Sequence, residues 1–212
     1  MRSRAGREHE CKGDRQTHNH SIAFLHARAR PSFRSDLRDR DSYDPWIGGV
    51  IGFYEDWRQY AARLADTIRP LTREQLDLTS GPHYWPIWAI ASHTAGGRVY
   101  WLCHVLKEPG AETTPFVDPS GEGWEDHLDH PRTAAEVAGA LDSSWKIVER
   151  CLESWTPEML SETVDRVMNG KTQVHSRRSI LMRMLSHDAF HSGEISAILG
   201  AHGLGAIDLW RR

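Results

Sequence analysis

Thr133-Ala-Ala-Glu-Val-Ala-Gly-Ala-Leu-Asp-Ser-Ser-Trp-Lys-Ile-Val-Glu-Arg-Cys-Leu-Glu-Ser-Trp155 is the stretch on which the fold turns. It opens with a capping box, Thr133 to Glu136, in which hydroxyl and carboxylate satisfy each other's orphan backbone amides. Val137, Leu141, Trp145, Val148, Leu152 and Trp155 then recur at three- and four-residue steps, the spacing of one buried helix face, and Pro157 ends the run. The same reading extends outward. Upstream, Val50, Phe53, Trp57, Tyr60, Leu64 and Ile68 form a stripe that stops before Pro70. A second segment runs from Pro86, suited to a first helical turn, to Lys107 before Pro109. It carries Ile87, Ile90, Ala91, Thr94, Leu102 and Val105 and is apolar over much of its circumference. Downstream, a fourth segment starts near Ser176 and runs to Gly200 or Gly203, with Ile180, Met184, Ile195 and Ile198. Four helices of about twenty residues, about 30 Å each, predict an all-α fold and the parts of a four-helix bundle. Outside them, 164–174 reads at most as an irregular extended piece. Leu71-Thr-Arg-Glu-Gln-Leu76 and Trp155-Thr-Pro-Glu-Met-Leu160 are alike and suggest two related helix-pair halves.

A chain of 212 residues, 39% hydrophobic, is one domain, or one domain with a tail, able to bury a core. No apolar run approaches the ~18 residues of a membrane span, and Ser21-Ile-Ala-Phe-Leu25 is too short for a signal peptide. Three cysteines, Cys11, Cys103 and Cys151, at wide spacings argue against a disulfide framework and for a reducing, cytoplasmic compartment. Residues 1–40 hold ten Lys/Arg against five acids, whereas the remainder is net negative by eight. All nine Trp lie after residue 45. We therefore expect 1–45 to be a basic, disordered tail and 46–212 the folded domain. A nucleic-acid-binding arm is the alternative for the tail, disfavoured by its interspersed acids and missing aromatics. Thr17-His-Asn-His20 within it reads as incidental.

The count of 13 His raises a metal question. In Ser186-His-Asp-Ala-Phe-His-Ser-Gly-Glu194, His187 and His191 leave one helix face a turn apart, so both rings can reach one cation. At this His content about one such pair is expected by chance, which makes the motif weak alone. Its place on the stripe of Met184 and Ile195 strengthens it, because unpartnered buried histidines are costly. His93, in an apolar helix and followed by Gly96 and Gly97, offers a third imidazole. The two glycines cost helix stability and suggest a close approach beside the ligand. Glu194 is a candidate to orient a ligand or act as general base, with a surface Arg as its alternative partner. Arg98 is a candidate to hold a ligand carboxylate, against a surface helix position. Trp88 and Trp101 are candidate pocket walls, against ordinary core packing. Asp188 lies one residue off the ligand line. His83, His104, His175 and His202 read as ordinary. The stretch from Glu108 to Arg132, with its four Pro and three Gly, is long enough for a crossover or lid. Within it, Glu125, Asp126, His127, Asp129 and His130 could chelate a metal, but a solvated acidic loop is the preferred reading. Cys103 and Cys151 read as buried structural thiols.

From about Trp46 onward the chain resembles the DinB-like superfamily of four-helix-bundle metalloproteins. The resemblance rests on Ile90-Ala-Ser-His-Thr-Ala-Gly96 and His187-Asp-Ala-Phe-His191-Ser-Gly-Glu-Ile195, with Leu71–Leu76 and Gly203-Leu-Gly-Ala-Ile-Asp-Leu-Trp210 also similar. It implies an up-down bundle with a long second crossover, often a homodimer. It also implies a divalent metal, commonly Zn or Ni, bound by His93, His187 and His191. Three His ligands leave a coordination position open, the arrangement of a catalytic site. Characterised members suggest a low-molecular-weight thiol cosubstrate (mycothiol, bacillithiol or glutathione) in S-transfer or isomerisation on a small-molecule substrate. The alternatives are a metal-dependent hydrolase, or a non-catalytic stress-response metalloprotein whose ion staples two helices. No nucleic-acid or membrane partner is expected.

Overall fold

The structure, a computed structural model, describes residues 49–208. The expected basic tail, Cys11 and the 17–20 histidines lie outside the described residues. The first expected helix is present but broken into α1 (Gly49–Phe53) and α2 (Glu55–Ile68). Tyr54 adopts a non-helical ψ of 20° at the junction. The break re-phases the stripe: Tyr54 turns inward and Phe53 is left exposed. Downstream, α2 buries Trp57, Ala61, Leu64, Ala65 and Ile68. A short α3 (Arg73–Leu76) follows, its Thr72 hydroxyl accepting from Gln75 N. Its sequence counterpart at 155–160 forms a single 3₁₀ turn in which Thr156 Oγ1 accepts from Met159 N. Each anchors a buried leucine, Leu76 or Leu160.

Helix α4 (Ile87–Val99) is the hub. It packs on α5 (Ala134–Ser154) and α6 (Arg177–Ala201), and also on the 3₁₀ turn Trp124–Asp126 of the long loop. Ten of its residues are buried, which is why its sequence is apolar nearly all round. Beyond Val99 the helix widens into a π turn, Tyr100–Val105, with Leu106 N donating to Trp101 O. It ends at Lys107, whose φ of +62° cannot continue a helix. Helix α5 has the expected capping box at Thr133, and α2 packs across it. The core these helices share includes Trp57, Trp88, Leu102, Leu141, Ile147 and Met184.

The expectation of an all-α chain needs correction. Strands β1 (Thr163–Met168) and β2 (Lys171–Ser176) form an antiparallel hairpin that leads directly into α6, capped by Ser176. Asn169 and Gly170 make its two-residue loop with φ of +51° and +72°, the geometry an Asn-Gly pair favours. Among the described residues, no helix is long and apolar enough to cross a membrane.

Candidate metal centre

Three imidazoles from two helices meet where α4 crosses α6. His93, His187 and His191 bring one ligand atom each to within 4.8 Å of one another. The Nε2 atoms of His93 and His187 are 3.0 Å apart. Helix α4 allows the approach because residue 97 is glycine: a Cβ there would stand 3.1 Å from His187 Cε1. Gly96 serves a different neighbour, the Phe116 ring of the long loop.

Carboxylates stand behind two of the rings. Glu125 Oε1 lies 2.6 Å from His93 Nδ1, and Glu194 Oε2 lies 2.9 Å from His191 Nδ1. An ionised carboxylate can only accept, so each Nδ1 donates to it, which leaves Nε2 as the ring nitrogen available to a metal. Those Nε2 atoms are thus the free ligand atoms of their rings. Burial, reinforced by the neighbouring imidazoles and by Arg98 and Arg183, pushes the pKa of His187 down to about 3. It is therefore neutral at physiological pH, the form that ligates a metal. Three imidazoles, two of them oriented by carboxylates, make a donor set that could hold a divalent cation.

A second cluster lies one residue away. Asp188 is buried against Arg98, which is 1% exposed. Arg98 Nη2 donates to Asp188 Oδ2 at 2.8 Å and Nε donates to the same carboxylate, while Trp57 Nε1 adds a third donor at 2.8 Å. Arg98 Nη1 donates to the Leu141 carbonyl on α5. One ion pair thus ties α2, α4, α5 and α6 and sets the rotation at which α6 presents His187 and His191. Arg98 is therefore committed to the core: it is neither the surface residue nor the ligand-carboxylate holder that sequence reasoning weighed. A buried Arg in a helix apolar all round needs a buried acid, and Asp188 is that acid.

The other candidates separate. Trp88 is buried in the core, not on a pocket wall. Trp101 is half-buried beside the hairpin, with the guanidinium groups of Arg166 and Arg183 at 5.0 and 5.2 Å from its ring and His175 at its edge. Arg183, Ser186, His187, Ser179, Met182 and Phe190 line a depression of about 450 Å³ that reaches the His187 side of the cluster. Neither described cysteine supplies a reactive thiolate: burial drives the Cys151 pKa to about 12 and raises that of Cys103. Within the long loop, Glu122 pairs with His127 and Asp129 with His130, both at the surface. Glu125 alone of these acids reaches the histidines, a residue the solvated-loop reading passed over. Position alone could not single it out among its acidic neighbours.

Comparison with known proteins bears on family and fold. The family model described as DinB superfamily matches residues 56–195. A crystal structure of a DinB-like protein from Bacillus cereus ATCC 10987 superposes with a TM-score of 0.54 at 20% identity, covering 75% of this chain and 96% of that one. No curated protein matches the sequence.

Proposed function

The chain belongs to the DinB superfamily, and from that membership and the histidine cluster we propose that it is a divalent-metal-dependent enzyme of the thiol S-transferase type. The observation that carries the reading is the convergence of three imidazoles with carboxylates behind His93 and His191. In this reading the four long helices form an up-down bundle within a folded domain beginning near residue 46, with the preceding segment a tail. The ion is zinc or nickel, the cosubstrate is a low-molecular-weight thiol, and the protein works in the cytoplasm as a homodimer. A bound ion would supply Lewis acidity, holding a thiol as thiolate at neutral pH.

The chain's own residues do the rest. His93, His187 and His191 hold the ion, and Glu125 and Glu194 keep the Nδ1 protons of His93 and His191 in place. Phe116 and Trp124, tilted against each other with centroids 5.3 Å apart beside Gly96, keep water from the α4 side. The depression along Arg183, Ser186 and Phe190 is the side from which a small substrate approaches. Arg183 makes no ion pair with a described residue and offers it a cation.

Elemental analysis of purified protein beside His187→Ala tests the ligand set: stoichiometric metal in the first and loss in the second is expected. Incubating the metal-loaded protein with each thiol and a generic electrophile tests the chemistry. Metal-dependent conjugation supports the transferase, ester or amide cleavage without any thiol points to a hydrolase, and neither leaves a stapling ion.

A further inference from the structure

The long loop between α4 and α5 delivers one side chain into the centre, and it does so from a built platform. Asp126 Oδ2 accepts from Gly123 N at 2.8 Å, closing the turn that carries Glu125. The Trp124 ring packs on Phe116, and the Arg132 guanidinium lies 4.4 Å from its centroid. Phe116 in turn seats on Gly96 of α4, where a Cβ would stand 3.5 Å from the ring. At Gly123 a Cβ would overlap the Glu125 carboxylate where it now lies. So placed, the Glu125 side chain is only 13% exposed, and its Oε2 is buried with no hydrogen-bond partner among the described residues. A buried carboxylate with a single donor is costly, and positive charge on the far side of the His93 ring would compensate it through the shared Nδ1–H.

We propose that Glu125 is a positioning residue of the metal centre, which docks the crossover loop on His93 so that ion binding and loop docking stabilise each other. The inference rests on the three-histidine reading above. Glu125 fixes the ring so that Nε2 faces His187, and it makes that nitrogen a stronger donor to the ion. Because coupling is reciprocal, an ion at the three histidines strengthens the hold of His93 on the loop. Glu194 does the equivalent for His191 from within α6 and therefore moves no loop.

The test uses the full chain and cobalt(II) or zinc(II) alone as probe. Affinity is measured by competition with a chromophoric chelator, and protease cleavage within 108–132 is followed with and without the ion. Glu125→Gln should bind the ion about 10–100-fold more weakly, and the visible bands of its cobalt(II) form should shift. Ion-induced protection of the loop should vanish in that variant. Gly123→Ala, which displaces the carboxylate without removing it, should weaken affinity in the same direction and lose the same protection. Glu122→Gln, which removes an equal charge from the same loop but faces His127, should behave as the parent. Affinity, spectrum and loop protection unchanged in both Glu125→Gln and Gly123→Ala would overturn the proposal. An unchanged affinity in His187→Ala would overturn the underlying ligand assignment instead, so the two failures are distinguishable.

Discussion

His187 and Asp188 are adjacent in sequence, both facing α4, yet they belong to two polar clusters of opposite character. Asp188 meets a full complement of donors from Arg98 and Trp57, buried in the core. His187 meets two imidazoles whose Nδ1 atoms are held by carboxylates behind them, so ring nitrogens of three histidines converge in one place. The first cluster is complete in itself and holds helices together. The second is the one that could hold a cation. Charge that the fold satisfies internally stabilises it, and donor atoms left converging identify the site.

The largest effect should come from breaking the complete cluster. Removing one partner of a buried ion pair strands the other, so Asp188→Ala should cost about 3–5 kcal/mol in urea unfolding of the metal-free protein. His187→Ala should cost far less under the same conditions. Equal losses would erase the distinction between the clusters.

Adding the ion should narrow that gap, because only the open cluster gains from it. Free ion at about 100 times its Kd stabilises a protein by about 2.7 kcal/mol. Calorimetric scans should show that increment in the parent and its absence in His187→Ala and His191→Ala. A matching increment in either variant would place the ion elsewhere.

A smaller effect sharpens the role of the carboxylate behind His191. Glu194→Gln should weaken zinc affinity by about 10–100-fold, read by chelator competition, without altering protease cleavage of the crossover loop. Unchanged affinity would reduce Glu194 to a surface partner.

The gentlest probe is pH. The folded state holds the His187 pKa near 3 against an ordinary 6.5, so between those values the unfolded chain binds the extra proton. The contribution of the neutral ring is present above pH 6.5 and lost progressively as pH falls toward 3. The metal-free parent should lose stability across that window more steeply than His187→Gln. Parallel curves would show that burial does not hold the ring neutral.

Much of this was legible in the residues because local rules decide it. The Thr133 capping box, the α5 stripe and the all-round apolar character of α4 are read from spacing, and so is the i, i+4 placement of His187 and His191. The break at Tyr54 was not legible, since the stripe through Phe53 is periodic without it and only tertiary packing turns Tyr54 inward. The hairpin had a local signal, Asn169-Gly170 between two valine-bearing runs, whose weight the surrounding helical pattern obscured. Arg98 and Asp188 could have been paired from the logic of buried charge, but they are ninety residues apart and each has surface-compatible neighbours. Glu125 depends wholly on the path of a loop rich in acids, where which carboxylate docks is a matter of tertiary geometry.

X-ray absorption of the zinc-loaded full chain tests the central claim most directly, because it reads ligand type and number at the ion. Three imidazole nitrogens at about 2.0–2.1 Å, with one light-atom ligand more, are the predicted result. A sulfur at about 2.3 Å in protein prepared without added thiol, or fewer than three imidazoles, would contradict it.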